Sequence, residues 1–212
     1  MFNILAITNR HICTDDFFTQ LEKICSANLK ISSFKKSSSM LSSLKIVLRE
    51  KDLCETDYKK IAEKVFKICK IHNTDCILHT YYNAAKELNC DNIHLPFNIF
   101  KNHPNISNKF KCVGVSIHSI DEAIEAEELG AGYIIAGHIF PTDCKKDLPP
   151  RGLRFLSSVC SSVNIPVYAI GGISPSNAQS VLNAGAYGIC LMSSLMKSKN
   201  PNEYLNSFSD SF

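Results

Sequence analysis

The sequence predicts a single-domain α/β protein with the (β/α)8 TIM barrel fold. The chain has 212 residues, which is near the short end of the length range of one such barrel. Eight short runs rich in Ile, Val and Leu alternate with longer amphipathic segments. Nearly continuous apolar runs are typical of parallel strands that are covered on both faces. Eight alternations of strand and helix favour a closed barrel over an open doubly wound sheet.

The predicted elements are spread along residues 1–212, which we treat as one domain. Strands are predicted at 4–8, 44–48, 76–79, 92–95, 112–116, 133–136, 167–170 and 188–191. Helices are predicted at 15–27 and 56–71 from their apolar spacing, at 119–129 from a capping box of Ser119 and Glu122, and after Ser174. The segment 31–43 is rich in Ser and Lys and predicts a surface loop or a weak helix. The polar tail after about residue 200 is predicted to be poorly ordered.

The composition is that of an ordinary globular protein and excludes several classes of partner. Hydrophobic residues make up 45% and charged residues 20% of the chain, and the net charge of +3 comes from acids and bases that are mixed along the sequence. No basic face for nucleic acid is visible. The apolar runs are too short to span a bilayer, and the N-terminus has no basic leader followed by an apolar core. We expect a cytoplasmic protein that binds neither nucleic acid nor membranes.

The ten cysteines do not predict a metal site or a disulfide framework. They are widely spaced, with no C-x-x-C pair and no Cys/His cluster at zinc spacing. Several lie inside apolar stretches, where a free thiol behaves as a small hydrophobic group. We therefore expect reduced thiols and no bound metal.

Two loops after the last strands have the composition of a phosphate site. Gly171 and Gly172 follow the seventh strand and precede a capped helix, and Met192 and Ser193 follow the eighth strand. In this fold, the loops after strands 7 and 8 present helix N-terminal N–H groups that bind phosphate. The alternative is a tight turn and a pair of helix caps. Two such loops on adjacent strands favour phosphate.

The second strand ends in a run of charges. Alternation along the chain places Arg49 and Lys51 on the same side. Two cations at a strand end can hold a phosphate or a carboxylate. The alternative is a solvated charge run.

The sixth strand ends in a histidine that is suited to proton transfer. His138 follows Gly137 and precedes a long, polar, lysine-rich loop. A neutral imidazole both accepts and donates a proton, so His138 is a candidate acid/base in the barrel mouth. The alternative is a histidine satisfied by a backbone carbonyl. The loop suits a lid over a phosphorylated ligand, and Cys144 is interpreted as a lid residue, since no base for a nucleophile lies near it in sequence.

Taken together, these motifs resemble those of the thiamin phosphate synthase and thiazole tautomerase superfamily. The matching segments occur in the order found in that superfamily, at 49–51, 114–119, 137–146, 169–173 and 192–193. The resemblance covers almost the whole chain and is strongest over 114–194. It implies a barrel enzyme of thiamin biosynthesis and, by analogy with other members, a homodimer.

The superfamily has two branches, which differ in their use of magnesium. Synthases join a pyrimidine diphosphate to a thiazole phosphate with Mg²⁺, whereas tautomerases aromatise carboxythiazole phosphate. This chain has Val47 in place of a synthase glutamine, His79 and Thr80 in place of an Asn-Asp pair, and 96–99 in place of a segment that supplies a second acid. Because Mg²⁺ favours carboxylate oxygens, the resemblance implies that it is poorly held here.

The loop after the sixth strand resembles the tautomerase form. His138 replaces a synthase proline, and Cys144 replaces a threonine. The resemblance implies that His138 transfers the proton and that Gly171, Gly172, Met192 and Ser193 hold the substrate phosphate. The remaining implied substrate-binding residues are Arg49, Lys51, Ser116, Thr142, Cys144 and Lys145.

Our main hypothesis is therefore a metal-free isomerase, a thiazole tautomerase whose ligand is a small phosphorylated thiazole and which has no cofactor. One alternative is a thiamin phosphate synthase, a transferase that would use Mg²⁺. A second alternative is a non-catalytic regulatory protein that binds thiazole phosphate.

Overall fold

The eight parallel strands form one closed barrel in the order in which they occur along the chain. The computed structural model describes residues 2–33, 41–103 and 105–209. The strands are β1 Phe2–Ile7, β2 Leu41–Leu48, β3 Asp75–His79, β4 Asn92–Pro96, β5 Cys112–Ile117, β6 Tyr133–Gly137, β7 Val167–Ile170 and β8 Gly188–Leu191. The predicted (β/α)8 barrel is confirmed.

Helices follow the strands and begin where the sequence supplies caps. They are α1 Phe17–Ser33, α2 Glu55–Ile71, α3 Tyr82–Glu87, α4 Phe97–Lys101, α5 Ile120–Glu128, α6 Gly152–Ser162, α7 Pro175–Asn183, α8 Ser193–Met196 and α9 Pro201–Ser209. The Ser119 hydroxyl accepts from the Glu122 amide at 3.0 Å at the start of α5. Ser174 forms a capping box with Asn177 at the start of α7. Along the described ranges, no helix has the length and apolar character needed to cross a membrane.

The structure corrects two predictions about irregular segments. The segment 31–43, predicted as a surface loop or a weak helix, is helical to Ser33, where α1 ends, but forms strand from Leu41, where β2 begins, while 34–40 lie outside the described residues. The tail predicted to be poorly ordered forms α9. Leu205 and Phe208, three residues apart, are buried there, and this apolar pair within a polar sequence holds the helix in place.

The chain divides into two compact units, which the strand pattern did not predict. The first unit comprises Met1–Cys90 and Leu191–Phe212, and the second is Asp91–Cys190. In the first unit, β1 pairs with β2, and Ile7 lies opposite Val47. In the second unit, β6 pairs with β7, and Gly137 lies opposite Ile170. Parallel pairing brings the carboxyl ends of these strands to one edge within each unit, where side chains that bind ligands are found in barrels.

Candidate active site

The charged run after β2 is an ordered network in the first unit. The Glu50 carboxylate is buried, with 2% of the residue exposed. It accepts from the Thr8 hydroxyl at 2.6 Å and from the Arg10 amide at 3.3 Å. The Arg10 guanidinium donates to it at 3.1 Å. All of these partners are donors, which is the arrangement that an ionised carboxylate requires.

Arg10 also binds the second acid of the run. Its Nη1 donates to the Asp52 Oδ1 at 2.8 Å, its Nη2 contacts Oδ2, and His11 Nε2 lies 3.0 Å from the same oxygen. The hydrogen bond from Arg10, followed by that from His11, lowers the pKa of Asp52 well below its usual range.

The predicted cations Arg49 and Lys51 alternate with these two acids along the sequence. Arg49 is half-buried with its amide donating to the Thr8 hydroxyl at 2.9 Å, and Lys51 is exposed. The alternative of a solvated charge run is therefore wrong for Glu50.

His138 lies directly after β6 in the second unit and is 5% exposed. Its Nε2 lies 3.2 Å from the Leu148 carbonyl oxygen. Because a carbonyl only accepts, this ring nitrogen carries the proton and donates. The His138 carbonyl in turn accepts from the Arg151 amide at 2.9 Å, and the Ile139 carbonyl accepts from the Gly152 amide at 3.0 Å. This geometry matches the alternative of a histidine satisfied by a backbone carbonyl, and it fastens the two ends of the loop together.

The two glycines after β7 make room for the chain's own loop. Gly171 has φ +103°, and a Cβ there would lie 2.3 Å from the His138 Cβ. Gly172 has φ +64°, and a Cβ there would lie 2.4 Å from the Pro141 carbonyl oxygen. The Phe140 amide donates to the Gly171 carbonyl at 3.0 Å. From the sequence, we expected a ligand to approach these two glycines closely. At the Cβ positions, the groups that approach them are those of the loop after β6.

Met192 and Ser193 lie at the start of α8 in the first unit. Met192 precedes the helix, and its carbonyl accepts from the Met196 amide at 2.9 Å. The far end of this short helix is capped by Gln20, whose side-chain amide donates to the Leu195 carbonyl at 2.7 Å and to the Ser198 carbonyl at 2.9 Å. The turn after β8 is therefore held from its own helix and from α1.

A buried polar network surrounds Ser116 and was not predicted from the sequence. His94 is 1% exposed, its Nε2 lies 2.7 Å from the Ser116 Oγ, and its Nδ1 lies 3.1 Å from the Tyr133 hydroxyl. Burial raises the pKa of Tyr133 well above its usual value. Gly114 admits this ring, because a Cβ there would lie 2.0 Å from the Tyr133 Cζ. The sequence feature that could have indicated this network is His94, a histidine inside the apolar strand 92–95.

The remaining predicted binding residues lie in the loop after β6. The Thr142 hydroxyl accepts from the Cys144 amide at 3.4 Å, and the Thr142 carbonyl accepts from the Lys145 amide at 3.0 Å. Thr142 is half-buried, whereas Cys144 and Lys145 are exposed. The three residues form one turn on the outer part of the loop.

The ends of β3 and β4 supply poor ligands for magnesium. After β3, the Thr80 hydroxyl lies 2.6 Å from the Nδ1 of the buried His79. After β4, the chain continues as Pro96, Phe97 and Asn98 into α4. Within the described part of the chain, no group of three or more His, Cys, Asp or Glu side chains is placed to hold a metal ion. Neither strand end offers the carboxylate that Mg²⁺ favours.

Comparison with known proteins shows which proteins this chain is similar to. The chain matches the family described as thiamine monophosphate synthase over residues 4–195. Thiamine-phosphate synthase of Clostridium novyi (strain NT) is 34% identical over 158 residues, which are 72% of this chain and 76% of that protein. Thiamine-phosphate synthase of Fusobacterium nucleatum is 30% identical over 201 residues, which are 93% of this chain and 90% of that protein. A solved thiamine phosphate pyrophosphorylase from Pyrococcus furiosus shares the fold, with a TM-score of 0.76 at 24% identity over 99% of this chain and 95% of that one.

These names contradict the interpretation of the chain as a thiazole tautomerase and isomerase. The relatives are thiamine-phosphate synthases, which favours the transferase alternative. The tautomerase hypothesis depended on His138 and its loop, on Val47 and on the missing acids at 79–80 and 96–99, whereas relatives that are 30% and 34% identical to this chain are named as synthases. The structure supplies a physical reason for the correction, because the His138 side chain is buried and bonded to the Leu148 carbonyl.

Proposed function

Because the chain belongs to the thiamine monophosphate synthase family, we propose that it is a transferase that joins a pyrimidine diphosphate to a thiazole phosphate. The bond between the pyrimidine methylene carbon and its diphosphate oxygen breaks, and a bond forms between that carbon and the thiazole nitrogen. The products are thiamin phosphate and diphosphate. The observation that carries the proposal is the identity of 30% and 34% to chains named thiamine-phosphate synthase.

The leaving diphosphate is the group that most needs stabilisation. It gains negative charge as its bond to carbon breaks, so cations placed beside it lower the barrier. Arg49 and Lys51 are the cations that we assign to it, because they follow β2 at the strand end where barrel enzymes bind their substrates. A guanidinium can donate two parallel hydrogen bonds to one phosphate, which suits Arg49 to this task.

The thiazole phosphate is assigned to the backbone N–H groups after β7 and β8. Gly171, Gly172, Met192 and Ser193 supply them. Ser116, oriented by its hydrogen bond to His94, is assigned to the organic part of the substrates. Thr142, Cys144 and Lys145 cover them from the loop after β6, and His138 holds that loop through Leu148 rather than transferring a proton.

Magnesium, which the resemblance implies for synthases, does not fit the residues present. The carboxyl ends of β3 and β4 carry no carboxylate, Glu50 has its oxygens occupied by Thr8 and Arg10, and Asp52 is paired with Arg10. We therefore assign the neutralisation of diphosphate to side-chain cations alone. This assignment is tested separately from the reaction itself.

The test is an assay of the purified chain with the aminopyrimidine diphosphate and the thiazole phosphate, with and without added Mg²⁺. We expect thiamin phosphate and diphosphate in equal amounts, measured by chromatography. Saturable binding of thiazole phosphate without any product would contradict the proposal and favour a non-catalytic binding protein. The expected homodimer stays a prediction for analytical ultracentrifugation.

A further inference from the structure

Arg10 holds the charged run after β2 from a different strand end. The run 49–52 alternates cation and anion, and Arg10 lies after β1. Its guanidinium binds Glu50 at 3.1 Å and Asp52 at 2.8 Å, and its amide binds the Glu50 carboxylate as well. We call Thr8, Arg10, His11, Glu50 and Asp52 the Arg10 clamp.

The clamp fixes the backbone on each side of both assigned cations. The Arg49 amide is bound by the Thr8 hydroxyl at 2.9 Å. Lys51 lies between two residues, Glu50 and Asp52, whose side chains are both anchored by Arg10. A backbone amide held at residue 49 and side chains held at residues 50 and 52 restrict the movement of Arg49 and Lys51. Preorganised cations bind an anion without the entropic penalty of being ordered on binding.

The clamp also neutralises the acids that stand beside those cations. Glu50 and Asp52 together carry two negative charges next to a site assigned to an anion. Arg10 places one positive charge between them, in a forked geometry that a lysine cannot reproduce. Removing this guanidinium leaves a buried carboxylate without its cation and adds repulsion against diphosphate.

We infer that Arg10 is a positioning residue for diphosphate: it contacts the two acids of the run rather than the ligand, and it sets the position and net charge of the Arg49–Lys51 segment. The inference rests on the proposed function in one respect only, which is the assignment of diphosphate to that segment. The positioning role itself follows from the contacts of Arg10 with Glu50 and Asp52, which are 40 and 42 residues away in sequence.

The experiment measures the dissociation constant of inorganic diphosphate by isothermal titration calorimetry, for the full chain and for three variants. Arg10→Gln is expected to weaken binding about 10- to 100-fold, because residues in one salt-bridge network are coupled by free energies on that scale. Asp52→Asn breaks one arm of the clamp and also removes a negative charge, which alone would tighten diphosphate binding. Because that charge is exposed and screened by solvent, the loss of the arm is expected to outweigh it and to weaken binding about threefold or more. The matched control is Lys59→Gln, which removes one positive charge and an exposed ion pair with Glu87 on α3 and is expected to stay within about twofold.

Thermal melting shows whether each variant folds. If Arg10→Gln is unfolded, Asp52→Asn decides the question. Folded Arg10→Gln and Asp52→Asn variants that bind diphosphate as the parent does would overturn the inference, and so would a parent chain that does not bind diphosphate.

Steady-state kinetics separates positioning from general damage. Arg10→Gln is expected to raise the KM for the pyrimidine diphosphate while the KM for thiazole phosphate stays within about twofold of the parent value. An equal rise in both would overturn the positioning role. A parent chain that binds diphosphate with the expected variant pattern and forms no thiamin phosphate would refute the proposed function and leave the clamp in place.

Discussion

Replacing Gly171 with alanine is expected to destabilise the protein through one identified contact. The residue has φ +103°, and an added Cβ would lie 2.3 Å from the His138 Cβ and 2.8 Å from its Cα. The left-handed backbone penalises a side chain by about 1–2 kcal/mol. Forcing two packed segments apart adds about 1–3 kcal/mol. Together, the free energy of unfolding should fall by about 2–5 kcal/mol.

Gly152→Ala supplies the matched control for this substitution. Gly152 has φ +76°, but an added Cβ would meet no atom within 4 Å, so only the backbone penalty of about 1–2 kcal/mol applies. Urea unfolding followed by circular dichroism gives both free energies from the transition midpoints and slopes. Equal losses in the two variants would show that the loop after β6 does not pack against Gly171 as described.

Three further substitutions and one metal test address the site. Tyr133→Phe removes the hydroxyl that faces His94 and is expected to reduce the free energy of unfolding by about 1–3 kcal/mol in thermal melts, whereas Tyr187→Phe, at a residue 52% exposed, should change it little. His138→Asn should speed proteolysis of the 141–150 loop while thiamin phosphate formation stays within about tenfold, and a loss of about 1,000-fold with normal proteolysis would restore a direct chemical role. Arg10 lowers the pKa of Asp52, so the ion pair between them stabilises the fold at pH values above the ordinary carboxyl pKa of 3.8. The difference in unfolding free energy between the parent and Asp52→Asn should therefore be largest at neutral pH and should shrink as the pH falls below that value. Diphosphate binding in excess EDTA should lie within about threefold of binding with Mg²⁺, and a strict need for the ion would show that ligands other than carboxylates hold it.

Apolar periodicity was sufficient to predict the barrel. All eight predicted strands overlap observed ones, because each run of Ile, Val and Leu is buried by its neighbours in the way that parallel strands require. The capping box at Ser119 also located a helix start correctly. Tail helix α9 escaped prediction because two buried residues, Leu205 and Phe208, are too few to stand out in a polar sequence.

The site was less predictable, because its contacts join residues that are distant in sequence. The alternation of side chains along the chain placed Arg49 and Lys51 on one side and Glu50 on the other. Nothing in the neighbouring sequence showed that Arg10 would bind the Glu50 carboxylate and leave that residue 2% exposed. The same limit applies to His94, whose partners Ser116 and Tyr133 are 22 and 39 residues away. Local motifs identify residue types, and long-range hydrogen bonds decide what those residues do.

The loop after β6 has its two ends tied together by the backbone bonds from Arg151 to His138 and from Gly152 to Ile139. A loop closed at its base is tolerant of insertions and deletions, since lengthening a loop between fixed ends changes its closure entropy only slowly. Residues 141–150 can therefore change in length and composition without disturbing either neighbouring strand. Evolution can revise what this loop contacts while the barrel beneath it stays the same, which is one route by which a single scaffold acquires new substrates.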